Sequence, residues 1–279
     1  MPLNSVNTNS DAALALQNLN STNAQISTLQ TQITTGLAVS TAANNGAVWA
    51  IAQGQRAQVA ALGSVTQSLQ RGQSAVDVAL SAGQTVSDLL VQIKTKVLAA
   101  ADTSLNTSSR AALNNDFKSL LNQISTVVGN ANFNGVNLLK NGATNYTALA
   151  NADATSVITV KAQDLSLGGA NIGLAATASF STATQAQNYI SSVDSAIQNV
   201  STALGALGTG SNALGAQANF VSNLSSTLNT GIGNLVDADL AQASAQLQAL
   251  QTKQQLGVQA LSIANGERGT LLSLFRNIG

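Results

Sequence analysis

The sequence predicts a mainly α-helical protein: a long antiparallel helical coiled-coil bundle with paired terminal helices and a small β-hairpin region. Apolar or small residues recur every seven positions through two long stretches, residues 62–100 and 193–235. The single proline stands at position 2, so none interrupts these stretches. Aromatic residues make up only 3% of the chain, and the abundant small side chains suit close contacts between long helices.

The composition excludes most kinds of catalytic and metal site. The chain contains no Cys and no His, which removes thiolate nucleophiles, the usual general base and the commonest metal ligand. Glu267 is the only glutamate, so few residues are available to form a pair of catalytic carboxylates. We therefore expect no enzymatic activity, no cofactor and no metal site.

Charge and hydropathy also limit the kinds of partner that the chain is expected to bind. The 11 basic residues balance the 11 acidic ones, unlike the basic surface of a nucleic-acid-binding or membrane-binding protein. The N-terminus lacks the basic and apolar segments of a secretory signal peptide, and no apolar run reaches the ~18 residues of a membrane span. We expect no nucleic-acid or membrane partner, and an export route that leaves the N-terminus uncleaved.

A first helix is predicted over residues 3–35. Leu19, Ile26 and Ile33 hold one heptad position, with Leu16 and Leu29 nearby. Asn, Ser and Thr fill most other positions, and because they are poor helix formers this helix needs a packing partner. Gly36 breaks the pattern, and residues 36–45 are interpreted as a linker.

A long inner helix is predicted over residues 44–101, roughly 85 Å at ~1.5 Å per residue. Its seam toward partner helices contains Leu62, Leu69, Val76, Leu90 and Val97. The polar cluster at 102–107 predicts a turn, after which a shorter helix over 108–128 folds back antiparallel. Gly129 is expected to end that helix.

The helical period disappears over residues 130–181. Short β-like runs at 156–160 and 172–174 predict a small hairpin region, and Asn141–Gly142 is a candidate tight turn.

The helical period returns at about residue 182 and continues to Leu235. The seam of this second inner helix contains Val193, Val200, Leu207, Leu214, Val221 and Leu228. Gly231 and Gly233 are expected to interrupt it. Asp237 and Asp239 begin the final helix, where carboxylates favour the positive end of the dipole.

Each terminus therefore carries a helix with an apolar stripe, and the matching stripes predict that the two pair. Their leucines exceed what one partner helix covers, and exposed apolar surface on that scale indicates self-association. The candidate polymerisation surface comprises Leu16, Leu19, Ile26, Leu29, Ile33, Leu240, Leu247, Leu250, Leu261, Leu272 and Phe275.

Several N-terminal blocks resemble the bacterial flagellin family. The block N-S-V-N-T-N at 4–9 resembles the family's I-N-T-N, and I-T-T-G-L-A-V-S at 33–40 resembles L-S-S-G-L-R-I-N. The block N-N-G-A-V-W-A-I-A at 44–52 resembles D-D-A-A-G-L-A-I-A. Trp49 in this block resembles the residue found in alphaproteobacterial members of the family.

Later blocks extend the resemblance in the expected order. The block N-F-N-G-V at 132–136 resembles Q-F-N-G-V. The C-terminal signature of the family resembles residues 237–239, 256–265 and 272–276. As a set these blocks are specific, and they cover roughly residues 1–136 and 180–276.

The resemblance implies an extracellular structural subunit that self-assembles into the helical bacterial flagellar filament for swimming motility. It implies two domains, the second of which carries a tip. A terminal helical domain (1–36 and 237–279) lines the export channel, a long-helix bundle (37–130 and 182–236) surrounds it, and residues 131–181 form its β-hairpin tip. Because the middle segment is short, large outer domains are expected to be absent.

The resemblance also implies partners besides the chain itself. These are the flagellar type III export apparatus with a secretion chaperone, and the hook-associated and cap proteins. The sequence departs from the family pattern at two places. Ala38 stands where L-R-I has Arg, and V-Q-I-K-T-K at 91–96 stands where well-known relatives have Q-R-V-R-E-L, the motif involved in innate-receptor recognition and packing. We therefore expect a poor agonist of Toll-like receptor 5.

Two alternatives stay open. A hook–filament junction protein belongs to the same axial family but matches the terminal blocks less completely. A secreted coiled-coil adhesin, a host-binding protein, leaves the paired terminal blocks unexplained.

Overall fold

The structure, a computed structural model, describes the backbone of residues 9–276 and the side chains of residues 9–266. Over this range the elements are α1 (Ser10–Thr35), α2 (Gly46–Ala100), α3 (Thr107–Asn130), β1 (Tyr146–Leu149), β2 (Val157–Val160), α4 (Ala183–Val236) and α5 (Leu240–Arg276). The predicted fold class is confirmed, because long helices dominate, a two-stranded antiparallel sheet is present and no large outer domain occurs in this range.

The chain divides into two compact units, one of Met1–Ala57 with Leu228–Gly279 and the other of Gln58–Thr227. Each unit has its own interior. The division into domains suggested by the resemblance stays a prediction.

Within unit 58–227, α2 and α4 run antiparallel. A Cβ built on Gly83 would lie 2.5 Å from Leu204 Cδ2, and Lys94 Nζ lies 2.7 Å from Asp194 Oδ1. Moving from 83 to 94 along α2 therefore means moving from 204 back to 194 along α4. The missing side chain at Gly83 lets the two helices approach closely at this level.

The residues of the predicted inner seam lie in the interior of the chain. They are at most 2% exposed, except half-buried Leu228: Leu62, Leu69, Val76, Leu90, Val97, Val193, Val200, Leu207, Leu214 and Val221. Burial of one residue every seven is the packing that a long amphipathic helix requires.

The predicted break at Gly231 and Gly233 is wrong, because α4 continues through both to Val236. Ile232 and Val236 are 7% and 1% exposed, whereas Leu235, which continues the seven-residue series, is 39% exposed. The buried row has shifted by one position near the helix end. Apolar burial on this face offsets the roughly 1 kcal/mol that each glycine costs in a helix.

The predicted turn between α2 and α3 is organised by Arg110, which is 8% exposed. Its Nε donates to the carbonyl of Ala100 at 2.9 Å, and its Nη2 donates to those of Asp102 and Leu105 at 2.8 and 3.1 Å. One guanidinium thus satisfies carbonyls at the C-terminal end of α2, where no intrahelical partner exists. Asn106 caps the start of α3.

The carboxylate of Asp102 stabilises the same turn. Its Oδ1 accepts hydrogen bonds from the backbone N–H and the hydroxyl of Ser104, both at 2.8 Å. These bonds, followed by the nearby charge of Arg110, lower the pKa of Asp102 below its ordinary value, because they favour the charged form.

The prediction that Gly129 ends α3 is wrong by one residue, since the helix continues to Asn130. Buried Asn137 supplies the missing stop signal. Its Nδ2 donates to the carbonyl of Val128 at 2.8 Å, so a side chain eight residues beyond Gly129 satisfies the helix end.

Of the two predicted β-like runs, one forms a strand and the other does not. Strand β2 lies within the predicted run 156–160 and pairs antiparallel with β1. Residues 172–174 form no strand, and Ile172 makes only an isolated bridge to Leu167. Asn141–Gly142 does form a turn, but residues 150–156 connect the two strands.

The hairpin packs against α2 and α4 where those helices lack side chains. The Tyr146 hydroxyl donates to the carbonyl of Ser68 at 3.2 Å, and the Ser68 hydroxyl accepts the N–H of the last β1 residue at 3.1 Å. A Cβ on Gly72 would meet the Tyr146 ring, and one on Gly210 would meet Val160 at 2.8 Å. Helical glycines therefore create the surface on which the sheet rests.

Candidate assembly surface on the terminal helix pair

Helix α1 has well-defined ends. Asn9 caps its start, where Oδ1 accepts the N–H of Ala12 at 2.9 Å. Gly36 ends it in the left-handed conformation, with φ of 73°, and donates its N–H to the carbonyl of Gln32 at 2.8 Å. Because side chains disfavour that conformation, the glycine predicted to break the helix is required here.

Helices α1 and α5 pair antiparallel. The Asn9 Nδ2 donates to the carbonyl of Ala264 at 2.9 Å, and Gln254 Nε2 donates to Asn23 Oδ1 at 2.7 Å. Residue numbers therefore increase along α1 in the direction in which they decrease along α5. The predicted pairing of the terminal helices is confirmed over the described residues.

The interior of this pair is small. Its buried members are Thr22, Ile26, Leu29 and Ala243, at 3%, 8%, 9% and 4% exposure. The half-buried members of the predicted polymerisation surface are Leu19, Ile33, Leu247, Leu250 and Leu261. Seven of the eleven residues of the predicted surface are therefore buried or half-buried within the chain itself.

The remaining predicted residues lie elsewhere. Leu16 and Leu240 are exposed at 48% and 47%. The side chains of Leu272 and Phe275 lie outside the described residues.

Four further apolar residues of the pair are exposed to solvent, and the sequence prediction missed them. They are Leu14, Leu256, Val258 and Ile263, at 58%, 60%, 52% and 66% exposure. All stand outside the heptad rows that form the pair, so a search for those rows passes over them. The signal that could have found them is the excess of large apolar residues beyond one seam.

Two of these residues, Leu14 and Leu256, line two shallow grooves. One is lined by Asp11, Leu14, Ala15, Asn18, Gly257 and Ala260. The adjoining one is lined by Asn18, Leu19, Thr22, Lys253, Leu256, Gly257 and Ala260. Ile263 follows Leu256 by two helical turns and lies on the same side of α5.

Small residues, Ala15, Gly257 and Ala260, contribute to the lining of these grooves. Gly257 lies opposite Leu19, whose Cδ1 would be 3.4 Å from an added Cβ. The groove walls carry one acidic residue, Asp11, and one basic residue, Lys253. The grooves therefore combine apolar surface with charges of both signs.

The linkers at the far end of the pair lie side by side. Leu37 and Asp237 form an antiparallel bridge, and the N–H of Ala38 donates to the carbonyl of Val236 at 2.7 Å. The backbone thus holds this junction at Ala38, where the family motif carries Arg. Trp49, after the linker, is half-buried.

Of the two aspartates expected at the start of the final helix, only Asp239 caps α5 in the described hydrogen bonds. Its Oδ1 accepts the N–H groups of Ala241 and Gln242, both at 3.0 Å. Asp237 instead lies beside Gly233, where an added Cβ would be 2.7 Å from its Oδ2. Capping by Asp239 satisfies donors that begin the helix.

The described side chains include no group of three or more His, Cys, Asp or Glu that could hold a metal ion. Over the same part of the chain, no helix has both the length and the apolar character needed to span a bilayer.

Comparison with known proteins identifies the family. The bacterial flagellin N-terminal helical region matches residues 6–144, and the C-terminal helical region matches residues 190–275. These matches together cover most of the chain. They coincide with the helical parts that precede and follow the hairpin region.

Full-length relatives give the same result. Flagellin FljM of Caulobacter vibrioides is 53% identical over 276 residues, covering 99% of this chain and 100% of the relative. Flagellin FljK of the same organism is 52% identical over the same length. A flagellin of Brucella melitensis is 38% identical over 281 aligned positions, covering 98% of this chain and 99% of the relative. The chain belongs to the bacterial flagellin family.

Proposed function

We propose that this chain is a structural subunit that self-assembles into the extracellular flagellar filament used for swimming. The observation that carries the proposal is the uncovered apolar surface of the α1–α5 pair. Its exposed members are Leu14, Leu16, Leu240, Leu256, Val258 and Ile263. Contact with neighbouring copies would remove this surface from water, with a gain of ~25 cal/mol per Å².

The small interior of the pair supports assembly as the step that orders it. Ordering one residue costs ~1–2 kcal/mol, and α1 is rich in poor helix formers. Only Thr22, Ile26 and Leu29 of α1 are buried among its described residues. Neighbouring copies would supply the burial that a single pair of helices lacks.

The same property supports export in an unfolded state through the flagellar type III apparatus, with a chaperone protecting the terminal segments. A weakly stabilised pair unfolds at little cost in free energy, and a chain without cysteine forms no disulfide that would obstruct passage. Hook-associated and cap proteins would contact the subunits at the two ends of the filament. Loss of secretion in a strain that lacks the export ATPase would support this route, and undiminished secretion would contradict it.

We further propose that the chain is a poor agonist of Toll-like receptor 5. In the segment 91–96, Lys94 Nζ lies 2.7 Å from Asp194, and Lys96 Nζ lies 2.8 Å from Asp116. Both cations are engaged within the chain, where the better-known motif carries Arg and Leu. A strong response of receptor-expressing cells to purified monomer would contradict the proposal.

The decisive experiment is polymerisation of the purified protein. The chain is incubated with short filament seeds under precipitating salt, and the products are imaged by negative-stain electron microscopy. Long helical filaments of uniform width are the expected result. Persistent monomers or small closed oligomers, with seeds proven active by a control flagellin, would overturn the filament proposal.

A further inference from the structure

We propose that Asn141–Gly142 is a site of spontaneous covalent modification, at which Asn141 cyclises to a succinimide and opens to aspartate and isoaspartate. This inference concerns the chemistry of one turn in unit 58–227 and does not depend on the filament function. It rests on the surroundings of the nucleophile, the leaving group and the neighbouring carboxylate.

The nucleophile of this reaction is the backbone nitrogen of Gly142. Its N–H donates to no acceptor among the described residues, and the glycine is exposed with φ of 69°. No atom lies within 4 Å of a Cβ built there, apart from the chain neighbours. A residue without Cβ in an open turn leaves the backbone free to rotate onto the preceding side chain.

The leaving group is the side-chain nitrogen of Asn141. Nδ2 donates to Asp164 Oδ2 at 3.1 Å, and Asp164 is itself held because its Oδ1 accepts the N–H of Ser166 at 3.0 Å. The carboxylate therefore orients the amide at the surface, where water reaches it.

The atoms balance with water as the only co-reactant. The Gly142 nitrogen attacks Asn141 Cγ, so an N–Cγ bond forms and the Cγ–Nδ2 bond breaks. The leaving nitrogen departs as ammonia and takes the proton that the backbone nitrogen loses. Water then adds to either carbonyl of the ring, which gives aspartate or isoaspartate.

The three other Asn–Gly pairs of the sequence have different surroundings. In Asn134–Gly135, the glycine N–H donates to Asn132 Oδ1 at 2.8 Å and is engaged. In Asn45–Gly46, the asparagine Oδ1 accepts the N–H of Val48 at 3.2 Å, so cyclisation would break the cap of α2. Asn265–Gly266 lies inside α5. Helical geometry holds the backbone away from the attacking conformation.

The modification would change what holds the turn. The product carboxylate donates no hydrogen bond, and it would face Asp164 where the amide now lies 3.1 Å away. Two like charges at that separation repel each other. The adjacent backbone bonds from Gln163 and Leu165 to the carbonyls of Leu138 and Leu139, at 2.7 and 2.8 Å, keep the buried part of the segment in place. We expect the turn at 140–143 to open while the helices stay folded.

The test compares the four sites in one sample of intact protein. Folded protein and urea-unfolded protein are aged in parallel at mildly alkaline pH. Peptide mapping by mass spectrometry then measures deamidation at each site, and a purified isoaspartate methyltransferase labels the isoaspartate. We expect the Asn141 peptide to modify at least several-fold faster than the Asn45, Asn134 and Asn265 peptides in the folded sample. In the unfolded sample the four rates should become comparable, because sequence alone then sets them.

A folded-state rate at Asn141 no greater than that at Asn134 would overturn the proposal. Two variants separate the chemistry from its consequence. Asn141→Gln should abolish the signal at this position and leave the other three unchanged. Asn141→Asp, which mimics one product, should speed hydrogen exchange around 140–143, and adding Asp164→Asn should reverse the increase. Unchanged exchange in Asn141→Asp would contradict the predicted opening.

Discussion

Tyr146 of the hairpin lies directly over Gly72 of α2, so that a Cβ on that glycine would be 2.7 Å from Cε1 of the ring. The Tyr146 hydroxyl donates to the carbonyl of Ser68, one turn earlier in the same helix. The ring thus covers a stretch of bare helix backbone and is held at its polar end. A missing side chain in one element positions a large side chain in another.

Replacing Gly72 by Ala should therefore destabilise unit 58–227, even though alanine is the better helix former. The added methyl group would push the Tyr146 ring off its site, and overpacking of this kind costs about 1–3 kcal/mol. The measurement is the free energy of unfolding from urea denaturation. Gly63→Ala is the matched control, because no atom lies within 4 Å of a Cβ at that α2 position. The control should gain up to about 1 kcal/mol, and equal gains in both variants would contradict the packing argument.

Replacing Arg110 by Met should destabilise the same unit by about 3 kcal/mol, since each hydrogen bond from a charged donor contributes ~1.5–3 kcal/mol. The methionine fills similar space but leaves the carbonyls of Ala100, Asp102 and Leu105 without that donor. Lys118→Met on the exposed side of α3 removes the same charge and should change stability by less than about 0.5 kcal/mol. A similar loss in both variants would show that charge, rather than satisfaction of the carbonyls, is responsible.

Asp102 should make the stability of the turn depend on pH in the acid range. Its folded-state pKa is lowered by the Ser104 hydrogen bonds. Its contribution is therefore present above the unfolded-state pKa of about 4, and it is lost as the pH falls through the lower folded-state value. Acid titration of the unfolding midpoint should show a shallower fall for Asp102→Asn than for the wild type. Parallel curves would show that this carboxylate is not linked to folding.

Asn9 should contribute to the terminal pair in two separable ways. Asn9→Ala removes the cap acceptor and the donor to Ala264, and should cost about 1 kcal/mol or more. Asn9→Asp keeps the acceptor and favours the helix dipole, but loses the donor. Hydrogen exchange of the first α1 amides should thus be fast in Asn9→Ala and near wild type in Asn9→Asp. Fast exchange in both would assign the main effect to the Ala264 contact.

Charge substitutions should separate pairing from assembly. Ile263→Asp, at an exposed position, should prevent filament growth while the α1–α5 pair stays formed. Leu247→Asp and Leu261→Asp, at half-buried positions, should prevent growth and also weaken the pair, yet leave unit 58–227 folded. Filament yield by sedimentation and helicity by circular dichroism measure the two effects.

Gln255→Asp is the control for those variants, because it adds the same charge at an exposed polar position of α5. Its filament yield should stay close to wild type. Wild-type yield in Ile263→Asp would argue against the exposed apolar surface as the contact, and equal loss in Gln255→Asp would assign the effect to charge alone.

The helical elements of this protein could be predicted closely because their signal repeats. Leu62, Leu69 and Val76 are buried one heptad after another, and each independently supports the same helix. Both ends of α2 and the start of α4 were predicted to within about two residues of their positions in the structure, and helix ends usually vary by that much. The pairing of α1 with α5 also followed from matching stripes.

Positions whose environment comes from distant residues could not be predicted in this way. Gly129, Gly231 and Gly233 are residues that favour helix ends. Yet α3 continues past Gly129 to the end that the Asn137 side chain satisfies, and α4 continues past Gly231 and Gly233, where apolar residues are buried. The strand that pairs with β2 carries Tyr146, whose ring lies over Gly72, a residue far away in sequence. Short strands carry too few residues for their own pattern to choose a partner.

Residue patterns alone were enough to predict that this chain is built of long helices, that its terminal helices pair and that it resembles the flagellins. Those properties come from periodic apolar positions and local motifs, which are short-range features of the chain. Three-dimensional packing was needed to show which apolar residues of the terminal helices are covered and which, like Leu256 and Ile263, are exposed to solvent. The reason is that burial is a property of two surfaces in contact, and only the register between α1 and α5 specifies which side chains lie between them.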